Sequence, residues 1–412
     1  MELKPGYKQT EVGVIPKEWE VKKLSEISPK QSVGLVINPS TYFDPKGSIP
    51  MLVGSNVREN RIDAEAANRI SVASNIKLAA SRLSQGDLVT VRVGDPGVTA
   101  VVPPDLDQCN CASMMIVRQD RSFNSLWLCS AMNSRIGRQQ VENVQYGTAQ
   151  KQFNIKDAVN FIYAVPPLEE QKRIAAVLGE LELLLLNLEQ LIAKKHDIKQ
   201  AAMQELLTGK RRLPGFEGEW EVNRLGEIAN IDPESLSAGT LPDFQFNYIS
   251  LEDVVHGSLR SYSEQVFESA PSRARRRLRH NDVLISTVRP NLLSHLLFGE
   301  SGDKWVASTG FSVVRCRPDM AHPGYVFAHL FTDGVNRQIE ALLTGSNYPA
   351  INSRDVRALE IPLPPYPEQY AIAAVLTDID AELSALEARH NKTRALKQAM
   401  MHELLTGRIR LA

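Results

Sequence analysis

One long segment occurs twice in this chain, and that repetition limits its fold more than any other feature. Glu170-Gln171-Lys172-Arg173-Ile174-Ala175-Ala176-Val177-Leu178 returns as Glu368-Gln369-Tyr370-Ala371-Ile372-Ala373-Ala374-Val375-Leu376. The copy runs without a gap at an offset of 198 residues, through Glu205-Leu206-Leu207-Thr208-Gly209 and Glu403-Leu404-Leu405-Thr406-Gly407. Between 170–213 and 368–411, 22 of 44 positions are identical, far above chance. A tandem duplication with a long helical segment in each half predicts a molecule with an internal pseudo-two-fold. Such a molecule suits a target that is itself roughly two-fold, such as duplex DNA.

The repeated segments read as helices. From Ile174, apolar residues at Val177, Leu181, Leu184, Leu188, Leu191 and Ile198 alternate steps of three and four, with Lys195 interrupting, and Leu178, Leu185 and Ile192 widen the stripe. Ile372, Leu376, Ile379, Leu383 and Leu386 repeat the spacing. It is that of a two-helix seam. Prolines 166/167 and 364/365 fit just before a helix start, and Gly209 and Gly407 just past a helix end. Glu169, Glu170 and Glu368 suit the positive end of the helix dipole. About 40 residues at ~1.5 Å each make a rod of roughly 60 Å.

The repeat reaches beyond the helices. Trp19-Glu20-Val21 matches Trp220-Glu221-Val222, Tyr146-Gly147-Thr148 aligns with Thr344-Gly345-Ser346, and Asp157 with Asp355. Each half carries two matched strand-like runs: Asp87–Val93 with Met114–Arg118, and Asp282–Arg289 with Phe311–Arg315. Residues 31–86 and 232–279 share almost nothing that aligns. Similar frames around dissimilar inserts predict one scaffold carrying two different readers.

At 412 residues, with 43% hydrophobic and 23% charged residues, the chain has room for two or more domains with their own cores. It has no apolar run of membrane-spanning length and no secretory pattern at its start, so a cytoplasmic protein is expected. Cysteines 109, 111, 129 and 316 form no metal-binding pair and are expected to be reduced and mostly buried. A nucleotide-binding P-loop, a dinucleotide fingerprint and the [DN]-P-P-[FY] segment of amino-methyltransferases are all missing, so no catalysis is expected. Net charge is −1, a mild argument against a nucleic-acid binder. Against it stands the run Ser272–His280, with five arginines in seven residues.

The order variable domain, shared helix, variable domain, shared helix resembles the specificity subunit of type I DNA restriction–modification enzymes. The residues that carry the resemblance are Ile15-Pro16 before Glu18-Trp19, the P-P-L/Y-x-E-Q helix starts, and the run from Glu205 to Phe216. It covers the whole chain. The resemblance implies an α+β fold, with two mixed α/β target recognition domains joined by two long antiparallel helices in a tandem pseudo-two-fold repeat. It divides the chain into recognition domains at 1–166 and 214–364 and spacer helices at 167–213 and 365–412. Each domain would read one half of a bipartite, asymmetric DNA site, and the helices would set the spacing and dock modification subunits. S-adenosylmethionine would be carried by two partner methyltransferase subunits, and ATP and Mg by partner motor and nuclease subunits. No catalytic residue, cofactor or metal would belong to this chain. A stand-alone DNA-binding regulator of the same architecture is the alternative, which pI 6.7 disfavours.

Arg and Lys can pair with guanine, and Asn and Gln with adenine. On that basis the candidate DNA contacts are Arg92, Tyr146, Gln150, Lys151 and Gln152 in the first domain. In the second they are Arg289, Asn347, Tyr348, Asn352 and Arg354, with Arg273, Arg275 and Arg276 for phosphates. Arg92 and Arg289 are taken as equivalent ends of matched strands. The candidate helix-pair interface is Ile174, Val177, Leu181, Leu184 and Leu188 with Ile372, Ile379 and Leu386.

Overall fold

A computed structural model describes residues 5–344 and 349–411. The chain divides into two compact units, one made of Met1–Glu189 with Arg389–Ala412 and the other of Gln190–Ala388. Each long helix, Leu168–Leu206 and Tyr366–Leu405, is therefore shared between the units.

Both units are built on the same sheet. In the first, Leu88–Val91 is buried along its whole length and lies between Thr99–Val101 and Met114–Val117, with Gln31–Val33 outermost. In the second, Val283–Ser286 lies between Leu296–Leu297 and Phe311–Cys316, with Ala229–Ile231 outermost. All these pairings are antiparallel. The matched strand runs of the sequence are thus the central strands. An aspartate precedes the first of them and an arginine stands at the end of the second, and they meet: Arg118 bonds Asp87 at 2.7 Å and Arg315 bonds Asp282 at 2.8 Å. A second sheet in each unit contains one parallel pairing, Asn110–Cys111 with Ile49–Leu52 and Trp305–Ser308 with Gln245–Ile249. These sheets are where the sequences diverge.

The paired motifs at the helix starts have a shared geometry. Trp19 Nε1 donates to Glu170 Oε2 at 3.0 Å, and Arg410 donates to both carboxylate oxygens at 2.6 and 3.0 Å. In the other unit Trp220 Nε1 donates to Glu368 at 3.3 Å and Arg212 to both its oxygens at 2.5 and 2.7 Å. Each guanidinium also lies over its tryptophan ring, at 5.9 and 5.5 Å. Both glutamates are buried, so they do more than face the helix dipole: each is an anion held by a bidentate arginine. The next residue is equally fixed. Gln171 accepts from the backbone N–H of Asn124 and donates to Pro166 O, as Gln369 accepts from His322 N–H and donates to Pro364 O. The Glu-Gln dipeptide therefore fastens each globular part to its helix.

Within each unit the two helix segments run in opposite directions. In the first unit, Glu182 pairs with Lys397 and Glu189 with His390. In the second, Lys195 pairs with Glu382 and Lys199 with Asp380. Glu182–Lys397 and Asp380–Lys199 are the same bridge seen in both copies, since each residue has its counterpart at the 198-residue offset.

The burial stripe differs in phase from the one the apolar residues suggest. Leu178, Leu185 and Leu188 are buried, whereas Leu191 is 41% and Ile198 43% exposed. The seam runs Leu178, Leu181, Leu185, Leu188, Ile192, Lys195, Lys199 and repeats as Leu376, Ile379, Leu383, Leu386, His390, Thr393, Lys397. Three lysines, Lys195, Lys199 and Lys397, hold seam positions because their stems cover apolar surface while carboxylates across the seam take the charge. Ile174 and Ile372 are buried in the core of their own unit, beside Trp19 and Phe153 in one and Leu225 and Tyr325 in the other. Val177, Leu181, Leu184, Ile379 and Leu386 are half-buried.

Candidate nucleic-acid interface

A backbone frame of the same kind occurs in each unit, and in the first it supports an exposed loop. In the first, Tyr146 and Gln152 exchange backbone hydrogen bonds, both 2.9 Å, Phe153 N–H donates to Arg92 O, and Gly94 N–H donates to Lys151 O at 3.0 Å. In the second, Thr344 and Ala350 exchange bonds of 3.0 Å, Ile351 N–H donates to Thr287 O, and Arg289 N–H donates to Pro349 O at 2.8 Å. Residues 147–151 are thereby closed into a loop in the first unit, and in the second the same frame brackets 345–349, of which 345–348 lie outside the described residues. Asn347 and Tyr348 lie outside the described residues.

This frame corrects one pairing. Val93 bridges Gln152 and Val288 bridges Ala350, so Arg92 corresponds to Thr287 and Arg289 to Gly94. Gly94 has φ 101° and Arg289 φ 48°, so both sit in the left-handed region. Counting from Asp87 and Asp282 would have found the match, because Val93 and Val288 each lie six residues on. Arg92 is half-buried and donates to Phe153 O at 3.4 Å. Arg289 is exposed.

The remaining candidates divide between the surface and the frame. Gln150 and Lys151 are exposed, and Tyr146 is exposed with its hydroxyl 3.2 Å from Asn154 Oδ1. Gln152 is half-buried in the bridge. Asn352 caps the helix Ser353–Ala358, accepting from the N–H groups of Arg354 and Asp355, while the Arg354 side chain is exposed. A cap of that kind is a structural duty.

The arginine run lies on and beside the strand Ala274–Arg277, and two of its five charges are matched inside the unit. Arg276 pairs with Asp232 at 3.1 Å and Arg279 with Glu234 at 2.5 Å. Arg275 stacks on Phe267 at 5.0 Å, and Arg277 donates to Asp303 O at 3.4 Å. Arg273 alone of the five has no side-chain partner among the described residues, and it is exposed. Sequence reading missed Asp232 and Glu234, which fall in the unalignable stretch. Two of the five arginines are thus paired with carboxylates, and Arg273, Arg275 and Arg277 have none among the described residues.

Cys109, Cys111 and Cys129 are buried and Cys316 half-buried, all free thiols. Burial pushes Cys109 and Cys316 up to about 12 and raises Cys111 and Cys129 as well, which makes them poor nucleophiles. No described helix is long and apolar enough to cross a membrane.

The family described as type I restriction modification DNA specificity domain matches the chain twice, at residues 16–200 and 217–395. Among curated relatives, the protein named as type I restriction enzyme MjaX specificity subunit of Methanocaldococcus jannaschii is 23% identical over 98% of this chain and 97% of its own length. The MjaVIII specificity subunit of the same organism is 22% identical over 64% of this chain and 66% of its own. Among solved structures, a type I restriction–modification S subunit from M. genitalium superposes with a TM-score of 0.62 at 13% identity, covering 98% of each chain. A chain from a study of complex assembly and conformational transition in the type I R-M system gives a TM-score of 0.54 at 22% identity, over 96% of this chain and 99% of that one. These two likenesses concern the fold; the doubled family match, on two units built on the same four-stranded sheet, places the chain in the type I restriction modification DNA specificity domain family.

Proposed function

We propose that this chain is the non-catalytic recognition subunit of a type I restriction–modification complex, in which each unit reads one half of a bipartite, asymmetric DNA site. The observation that carries this is two units sharing one sheet, helix fastening and loop frame while differing in their second sheet, three-stranded in the first and four-stranded in the second. A common scaffold with unlike surfaces is what two independent half-site readers require. The antiparallel helices would fix the distance between the readers and dock two modification subunits. S-adenosylmethionine would be bound by those partners, and ATP and Mg by motor and nuclease subunits, so that no step of the chemistry falls to this chain. The stand-alone regulator is disfavoured, because a chain of net charge −1, with two arginines of its basic run already paired to Asp232 and Glu234, has little excess charge to hold DNA unaided.

The test is an exchange of residues 217–363 for the matching stretch of a relative, in the assembled methyltransferase. Sequencing of methylated DNA is expected to show one half of the motif changed and the other half and the spacer kept. A change in both halves, or in neither, would refute independent readers.

A further inference from the structure

In each unit a small antiparallel hairpin of the variable insert turns through a two-residue tip. Val57–Arg58 pairs with Arg61–Ile62 around Glu59-Asn60, and Val254–Val255 pairs with Ser258–Leu259 around His256-Gly257. Both tips lie on the same edge strand of the shared sheet: Asn60 N–H donates to Thr99 O at 3.0 Å, and Gly257 bridges Leu296. From there the two tips differ.

The first tip is bonded to the helix seam. Asn60 Oδ1 accepts from Asn133 Nδ2 at 2.9 Å, and Asn60 Nδ2 donates to Glu182 Oε2 at 3.3 Å. Asn133 is buried and is itself held by Thr99, whose N–H and C=O bond its side chain at 2.9 and 2.8 Å. Glu182 is the carboxylate that pairs with Lys397 across the seam, and Lys397 also lies 3.5 Å from Glu59. Arg61 pairs with Glu189 at 3.1 Å. Three consecutive residues thus reach both helix segments of the unit.

In the second unit the corresponding places are largely apolar. Phe327 and Phe331 stand 198 residues after Cys129 and Asn133. Their rings pack at 5.1 Å, and a Cβ on Gly257 would come within 3.2 Å of Phe327. His295 takes the place of Thr99, each standing two residues before the strand partner of Val283 or Leu88. Its ring packs on Phe331 at 5.8 Å. Among the described residues no hydrogen bond or ion pair joins 254–259 to either long helix. Hydrogen bonds fix a direction, whereas apolar packing is non-directional.

We infer that Asn60 is a positioning residue: through Glu182 and Lys397 it locks the first unit's variable insert in one orientation on its helix segments, a constraint the second unit lacks. This rests on the two-reader function proposed above. A reader locked to the helices meets DNA at a fixed place along its axis, so tolerance of spacer length reports the lock. The assembled methyltransferase is assayed on its own motif with the native spacer and with spacers one base pair longer and shorter. Asn60 has φ 62°, so Asn60→Gly keeps the backbone and removes the tie. Asn60→Asp sets a carboxylate against Glu182. Each is expected to raise methylation of the altered spacers relative to the native one by about three- to tenfold, the scale of one hydrogen bond, with both half-motifs unchanged. Adding Glu182→Gln to Asn60→Asp reverses donor and acceptor across the same bond and should restore the parent's tolerance. His256→Gly, at the exposed second tip, should leave it unchanged.

Five results would overturn the inference. Unchanged tolerance in both Asn60 variants would mean that the tie positions nothing. Altered bases in the first half-motif would make the tip a reader. Equal relaxation by His256→Gly would remove the difference between the units. No recovery in the Asn60→Asp, Glu182→Gln chain would show that the route does not pass through Glu182. Loss of the assembled complex in both single variants would make the tie an element of folding. A parent complex whose methylated motif is not bipartite would instead count against the two-reader function itself.

Discussion

Replacing Arg410 by Met should unfasten the first unit from its helix. Glu170 is 4% exposed and receives three hydrogen bonds, two from Arg410 and one from Trp19. Methionine keeps much of the apolar stem but removes the one cation that, among the described residues, pairs with this carboxylate. Breaking a fully buried ion pair costs about 3–5 kcal/mol. Arg410 is itself 26% exposed, so water can reach the vacated side, and about 2–3 kcal/mol is the better figure here. For a unit of this size that lowers the melting temperature by about 4–12 °C. Thermal unfolding followed by tryptophan fluorescence reads it, since Trp19 and Trp127 report on the first unit and Trp220 and Trp305 on the second. Glu170→Gln in the same chain should recover part of the loss, because a neutral amide no longer needs the cation and can still accept from Trp19. A drop below about 0.5 kcal/mol, or no recovery in the double variant, would refute a buried anion as the fastening element.

Burial holds His295 at about 4 and His329 at about 3, below the ordinary 6.5. Both are neutral in the folded unit, so their contribution is complete above pH 6.5 and is lost as pH falls toward 4. Each should cost on the order of 2 kcal/mol between pH 7.5 and 5, and denaturant unfolding at the two pH values should show a smaller acid loss for His329→Leu than for the parent. Leu185→Asp should destabilise the helix pair by about 3 kcal/mol or more, while Leu191→Asp stays within about 0.5 kcal/mol, as judged by denaturant midpoints. Equal effects would reject the seam phase described above. Arg276→Ala should lower the second unit's stability by about 1–2 kcal/mol, since Asp232 retains donors from Ser312, Val313 and Ser353, yet leave the salt slope of DNA binding unchanged.

Much of this architecture is legible in the residues. The 198-residue offset locates both helices, the prolines locate their starts, and the Asp87/Arg118 and Asp282/Arg315 runs locate the central strands. The phase of the seam was hidden because apolarity alone favours Leu184, Leu191 and Ile198 over Lys195 and Lys199. Only a carboxylate across the seam makes a lysine acceptable there, and its identity depends on pairing across some 180 residues. Two partners of the arginine run were hidden for the same reason: Asp232 and Glu234 are about 40 residues away in sequence and unalignable with the first half. The match of Arg92 to Arg289 failed because arginine was matched to arginine, whereas the bridges preserve backbone positions.

The fastening of Glu170 by Arg410 carries a consequence for the order in which a ribosome delivers this protein. Chains emerge from their N-terminal side and fold as parts become available. Residues 190–388 contain everything the second unit needs, including both Arg212 and Glu368. The first unit begins to emerge earlier, but its buried glutamate, its share of the seam and part of its core wait for residues 389–411. The half of the protein made first is the half finished last, and through that interval Glu170 and the face around Leu178 stand without their partners.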